Sequence, residues 1–157
     1  MSLLTNLRSY FIRFKLALTN PRKRSRIYNK YLGIRIGSGA RLLGKIHFGS
    51  EPFLIEIGDN VTITHGVSFV THDGGVEIFR KEFPGINVFG KIVVGNNVFI
   101  GIKSIILPGV TIGSNVVIAA GSVVTRNIPD NVVAGGVPAR VIESINEYKT
   151  KCLENAV

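Results

Sequence analysis

The chain has 157 residues, 45% of them apolar and 18% charged, with a mean hydropathy of +0.30; this excludes intrinsic disorder and suits one domain with one core. Its net charge of +9 is lopsided: residues 1–50 hold eleven Lys/Arg and no acid, and residues 51–157 hold eight Lys/Arg against ten Asp/Glu. That distribution speaks against a nucleic-acid-binding domain, and the single cysteine, Cys152, excludes a disulfide framework or multi-cysteine metal site and fits a reducing, cytosolic setting.

Residues 1–33 form a basic N-terminal segment. Within it, residues 3–18 are expected to be helical, because Leu4, Leu7, Phe11, Phe14 and Leu18 recur at spacings of three and four. Asn20-Pro21 ends that helix, since a residue before proline is pushed out of the α region. PRKRSR then places four cations in six positions. Two readings are open: a basic amphipathic segment over residues 3–26 lying on an anionic membrane, or a helix packed on its own protein ahead of a solvated basic loop. Arg8, Arg13 and Lys15 interrupt the apolar stretch and no small-residue cleavage site follows, unlike a signal peptide. No run of eighteen apolar residues predicts a membrane-spanning helix.

Residues 34–142 carry a repeat of six. From residue 94 the frame reads VGNNVF, IGIKSI, ILPGVT, IGSNVV, IAAGSV, VTRNIP. The first position is always aliphatic (Val94, Ile100, Ile106, Ile112, Ile118, Val124), and the fifth is small or aliphatic (Val98, Ser104, Val110, Val116, Ser122, Ile128). Earlier copies are IGDNVT, ITHGVS and, more weakly, IGSGAR. A six-residue period would smear around an α-helix. In extended chain, the fifth residue of one hexapeptide and the first of the next lie two apart and face the same side. Gly-Asn, Gly-Ser and Pro-Gly pairs suit the corners between. Three hexapeptides thus make one triangular coil, and stacked coils make an all-β parallel β-helix.

Residues 74–91, GGVEIFRKEFPGINVFGK, break the period and read as a functional loop, the alternative being a tolerated surface insertion. Residues 143–157 close the chain, with a short helix expected over 143–154 that caps the open end of the coil. The chain has three histidines: His47 in the degenerate first coil, His65 at a corner, and His72 where the frame gives way to the loop.

The hexapeptide runs, the THDGG opening of the loop and the ending IAAGSVVTRNIPDNVVAGGVPARVI resemble the hexapeptide-repeat acyltransferases. The nearest subgroup is the acetyl-CoA-dependent sugar and polysaccharide O-acetyltransferases. The resemblance implies a left-handed β-helix, against the usual preference of parallel crossovers. It also implies a homotrimer with sites between subunits, and no metal. A base must take the hydroxyl proton, a donor must stabilise the oxyanion, and the pantetheine arm must hold the acetyl group in range. The family's histidine corresponds to His72, with Asp73 the nearest acid to orient it, Glu56 and Asp59 being alternatives. His65 is kept as a substrate contact or alternative base.

The family's donor site maps onto Gly101 and Ile102 for the pantetheine arm and thioester, Ala120 against the arm, and Thr125, Arg126 and Arg140 near the phosphates. Phe99 stands where tryptophan is common, and Glu143 where some members carry a further arginine. In the loop, Phe79, Phe83 and Phe89 would either stack on sugar faces or pack the loop onto the trimer, and Arg80 and Lys81 would meet an acidic glycan or sugar phosphate. The expected activity is O-acetylation of a sugar hydroxyl in a surface polysaccharide or its precursor, in the cytoplasm at the inner membrane face. N-acetylation of an amino sugar nucleotide and a non-catalytic scaffold are the alternatives.

Overall fold

The structure, a computed structural model, describes residues 11–12 and 14–156. Among the described residues, thirteen short strands carry the fold. The first coil gives β1 (Arg35–Ile36) and β2 (Arg41–Leu42); the second gives β3 (Ile55–Ile57), β4 (Thr62–Ile63) and β5 (Ser68–Phe69). The third gives β6 (Ile92–Val94), β7 (Val98–Ile100) and β8 (Ile105–Ile106); the fourth gives β9 (Thr111–Ile112), β10 (Val116–Ile118) and β11 (Val123–Val124). A hairpin follows, β12 (Val132–Gly136) and β13 (Ala139–Ser144). Strands stack into three parallel walls: β1-β3-β6-β9, then β2-β4-β7-β10-β12, then β5-β8-β11.

The hexapeptide pattern dictates the core. All six first positions from Val94 to Val124 and all six fifth positions from Val98 to Ile128 are buried. Ser104 and Ser122 fill two of these inward sites, and each satisfies its hydroxyl on the carbonyl of Ala119, at 3.1 and 2.6 Å. Parallel walls leave no hairpin to set register, so the corners set it. At one corner, Asn60, Asn97, Asn115 and Asn131 all adopt positive φ, between 55 and 61°. The Asn97 amide donates to Asn115 at 2.8 Å, and Asn115 donates to Asn131 at 2.9 Å. The preceding glycines serve a different purpose from the one the turn pattern suggests. Gly58, Gly95 and Gly113 do not have positive φ; a Cβ on Gly95 would sit 2.8 Å from the Gly113 backbone, so glycine lets the coils approach.

Two irregularities interrupt the stack. Ser68 faces Ile105, 37 residues on, where the regular spacing is the 18 from Val93 to Thr111; the loop beginning at residue 73 causes the jump. Arg35 faces Glu56, 21 residues on, because a 3-10 turn at Pro52–Leu54 adds three residues to the first coil.

The two ends differ. At the N-terminal end, helix α1 is described at residues 11–12 and 14–18, and helix α2 runs Arg24–Leu32. The basic stretch read as a loop is thus a 3-10 turn, Pro21–Lys23, running into α2, with the Asn20 side chain accepting from Arg22 N–H. Tyr28 of α2 is buried over the coil; its ring meets Phe48 at 4.9 Å, which stacks on Phe69 at 5.4 Å. The apolar stripe drawn along α1 turns out differently. Leu4 and Leu7 lie outside the described residues, while Phe11, Phe14 and Leu18 are 48%, 66% and 74% exposed. Ile12 is buried instead and Leu16 packs against the core.

At the other end, the antiparallel partner β13, and not the terminal helix, covers the last strand of the second wall, β12. Helix α3 (Ile145–Glu154) buries no residue, so it does not cap the core as expected; its start is fixed by a capping box between Ser144 and Glu147. Among the described residues no helix is long and apolar enough to cross a membrane.

Candidate active site

The corner after the third wall gathers the reactive groups. Thr71 and His72 follow β5 there, and Glu51 occupies the same corner one coil below. The chain then leaves the prism, and the feet of the excursion pair with each other. Asp73 N–H donates to Val88 C=O and Gly90 N–H to Thr71 C=O, both at 2.9 Å, with His72 bridged to Phe89. His72 therefore sits at a pinched neck, held by backbone on both sides.

His72 Nδ1 lies 3.0 Å from Glu51 Oε2, and the buried Thr71 hydroxyl donates to that same oxygen at 2.7 Å. Hydrogen bonds from Thr71 and then His72 hold the Glu51 carboxyl below the usual carboxylate range. An ionised carboxylate only accepts, so Nδ1 carries the hydrogen and Nε2 presents its lone pair. The imidazole is 43% exposed, and it borders an open cleft of about 330 Å³ lined also by Glu51, Asp73, Glu77, Arg80 and Phe89.

The acid expected to orient His72 behaves otherwise. Asp73 turns its carboxylate to Gly75 N–H at 2.8 Å, capping the 3-10 helix Gly74–Phe79. Glu56 takes Arg35 and Lys91 as ionic partners on the first wall, and Asp59 accepts from Ser38 N–H at 2.6 Å. Glu51 is the residue sequence reasoning missed. The regular count of 18 residues per coil hides it: the first coil is 21 residues long, and Glu51 stands 21 residues before His72.

The remaining candidates fall at several places. Arg80 reaches the cleft, where its Nε bonds Glu77 at 2.6 Å; Phe79 and Lys81 lie exposed further along the loop. His65, Ile102 and Ala120 stack at the corner before the third wall, where Gly101 has Ala119 and Ala120 backbone directly above it. His65 Nδ1 accepts from Lys45 N–H at 3.3 Å and has no part in the His72 cleft. Thr125 and Arg126 follow β11 at the corner of His72, two coils above, and Arg140 is exposed on β13. One chain thus splits the expected groups between the two corners that flank the third wall.

Residues 91–126 match the family described as bacterial transferase hexapeptide (six repeats). Protein CapG of Staphylococcus aureus is 63% identical over 127 residues, 80% of this chain and 74% of CapG. A galactoside O-acetyltransferase of Escherichia coli (strain K12) is 49% identical over 97 residues, 62% of this chain; the match spans about half of that enzyme, 47%. A solved galactoside acetyltransferase in complex with coenzyme A superposes with a TM-score of 0.60 at 32% identity, over 92% of this chain and 82% of the other. The three walls are those of a left-handed parallel β-helix. Repeat, fold and extended identity converge: the chain belongs to the hexapeptide-repeat acyltransferase family, within its acetyl-CoA-using sugar O-acetyltransferase subgroup.

Proposed function

We propose that the protein transfers acetyl from acetyl-CoA directly to a hydroxyl of a sugar in a surface polysaccharide or its precursor, with His72 as general base. The observation that carries this reading is the Glu51–His72 contact at the mouth of an open cleft. A sugar hydroxyl is a weak nucleophile near neutral pH, so proton removal during attack is the step the protein must assist. Nε2 takes the hydroxyl proton as the oxygen attacks the thioester carbon, and the ionised Glu51 stabilises the imidazolium that forms. Thr71 fixes the carboxylate. Collapse of the tetrahedral intermediate expels the CoA thiolate, and the imidazolium returns the proton to sulfur. No acyl-enzyme is required, and Cys152, exposed on α3, takes no part.

Donor binding is assigned to Gly101, Ile102 and Ala120 along the arm and to Thr125, Arg126 and Arg140 at the phosphates. Gly101, Ile102 and Ala120 occupy a different corner of the prism from His72, which favours a homotrimer in which one subunit's arm-binding corner faces another's base. A backbone N–H near Gly101 is the oxyanion donor. The acceptor rests against Arg80, Phe79, Phe89 and Lys81, with His65 a contact from the neighbouring corner. A putative lipopolysaccharide biosynthesis O-acetyl transferase of Escherichia coli (strain K12), 45% identical over 110 residues, favours a surface glycan as the setting.

A steady-state assay of thioester cleavage against a panel of hydroxyl and amine sugars tests the reading. His72→Ala is expected to lose on the order of 10²–10⁴ in turnover while keeping its oligomeric state. Full turnover in that variant removes His72 as base, and transfer to amines alone moves the activity to N-acetylation.

A further inference from the structure

Helix α1 is apolar on two opposite faces, and the fold uses one of them. At about 100° per residue, Phe11, Phe14 and Leu18 fall within about 60° of one another, and Ile12 and Leu16 lie roughly 150° away. The inner pair is held firmly. Ile12 is buried, Leu16 packs on the core, and the Lys15 ammonium donates to Tyr31 Oη at 3.3 Å. The Arg24 guanidinium then ties three pieces together, donating from Nε to Leu16 C=O and Thr19 C=O at 3.2 Å and from Nη1 to Leu42 C=O at 3.0 Å. This clamp fixes the roll of α1, so the outward direction of Phe14 and Leu18 is set by the fold.

Phe11 meets the Tyr31 ring edge-on at 6.1 Å with the Lys15 ammonium 4.5 Å over its face, and the residues that follow the stripe are basic. Arg22, Lys23 and Arg26 follow it directly, are exposed, and meet no carboxylate among the described residues. No acid precedes Glu51 anywhere in the chain. A second copy presenting this same face would set cations against cations. A negatively charged lipid surface complements it: phosphates meet the guanidinium and ammonium groups, and Phe14 and Leu18 enter the headgroup boundary.

We infer that this end of the prism is a peripheral docking surface for anionic phospholipid, with the exposed Phe11, Phe14 and Leu18 stripe lying in the interface and Arg22, Lys23 and Arg26 on the headgroups. The inference does not depend on the acetyl-transfer reading, because no residue of the cleft takes part in it.

Flotation of the full chain tests it, with vesicles of phosphatidylcholine containing about a third phosphatidylglycerol against phosphatidylcholine alone, alongside light scattering for oligomeric state. The wild type is expected to float with the anionic vesicles only, and less so at high salt. The variant R22Q/K23Q/R26Q, which alters exposed side chains and leaves the apolar clamp intact, is expected to bind on the order of a hundredfold more weakly, roughly fivefold per cation. F14S/L18S is expected to lose binding while its thioester turnover in solution stays unchanged. Equal flotation of wild type and both variants overturns the proposal. So does failure of the wild type to bind; if F14S/L18S then also lowers the oligomeric state, the stripe belongs to a second copy of the chain.

Discussion

Glu51 connects the chemistry to the stability of the corner. Its carboxyl is held below the ordinary range by the Thr71 and His72 hydrogen bonds, so the folded state favours the ionised form. That contribution is complete above the ordinary carboxylate pKa and is lost as pH falls through the lowered value. Glu51→Gln keeps an acceptor for Thr71 and removes the charge. The gap in melting temperature between wild type and this variant is therefore expected to be widest near neutrality and to close in acid, as thermal melts across pH will show. In turnover, Glu51→Gln is expected to lose less than His72→Ala, because it leaves the proposed base in place. The position of His72, where the coil gives way to the loop, was legible from the sequence. Its partner was not, because even six-residue counting puts Glu51 out of step until the three residues of Pro52–Leu54 are recognised as an insertion. Nearness in sequence pointed to Asp73, whose side chain diverges to cap its own turn.

Elements divide into those the period specifies and those it does not. Every inward hexapeptide position from Val94 onward was readable, since a buried column tolerates only aliphatic or small side chains there. Ile112→Ala in that column is expected to cost about 2–5 kcal/mol in urea unfolding. The corner asparagines carry a separate load. Asn115→Ala is expected to cost about 1–2 kcal/mol from the left-handed backbone alone, and Asn115→Gly to recover that part but not the side-chain ladder. Helix α3 behaves differently, because it buries nothing. Ser144→Ala is expected to speed amide exchange along α3 by about fivefold, the effect of losing roughly 1 kcal/mol of capping, with the global melting temperature unchanged. The roll of α1 was not legible. Apolar residues occur on both sides of it, and only the Arg24 clamp and the shape of the first coil select Ile12 and Leu16 for burial.

For the whole molecule, division of labour between corners is what requires partners in the proposed trimer. His72→Ala lacks the base and Ala120→Trp would block the donor corner, so each alone is expected to be inactive. Co-refolding the two in equal amounts is expected to restore about a quarter of wild-type turnover, the share of clefts built from one intact corner of each kind. The loop offers a last consequence. Because its feet bond to each other at Asp73–Val88 and Thr71–Gly90, the coils above and below keep their register whatever lies between. Residues 74 to 87 can thus change without refolding the corner that holds His72, and under the proposed function that is the cassette through which one acceptor would be exchanged for another.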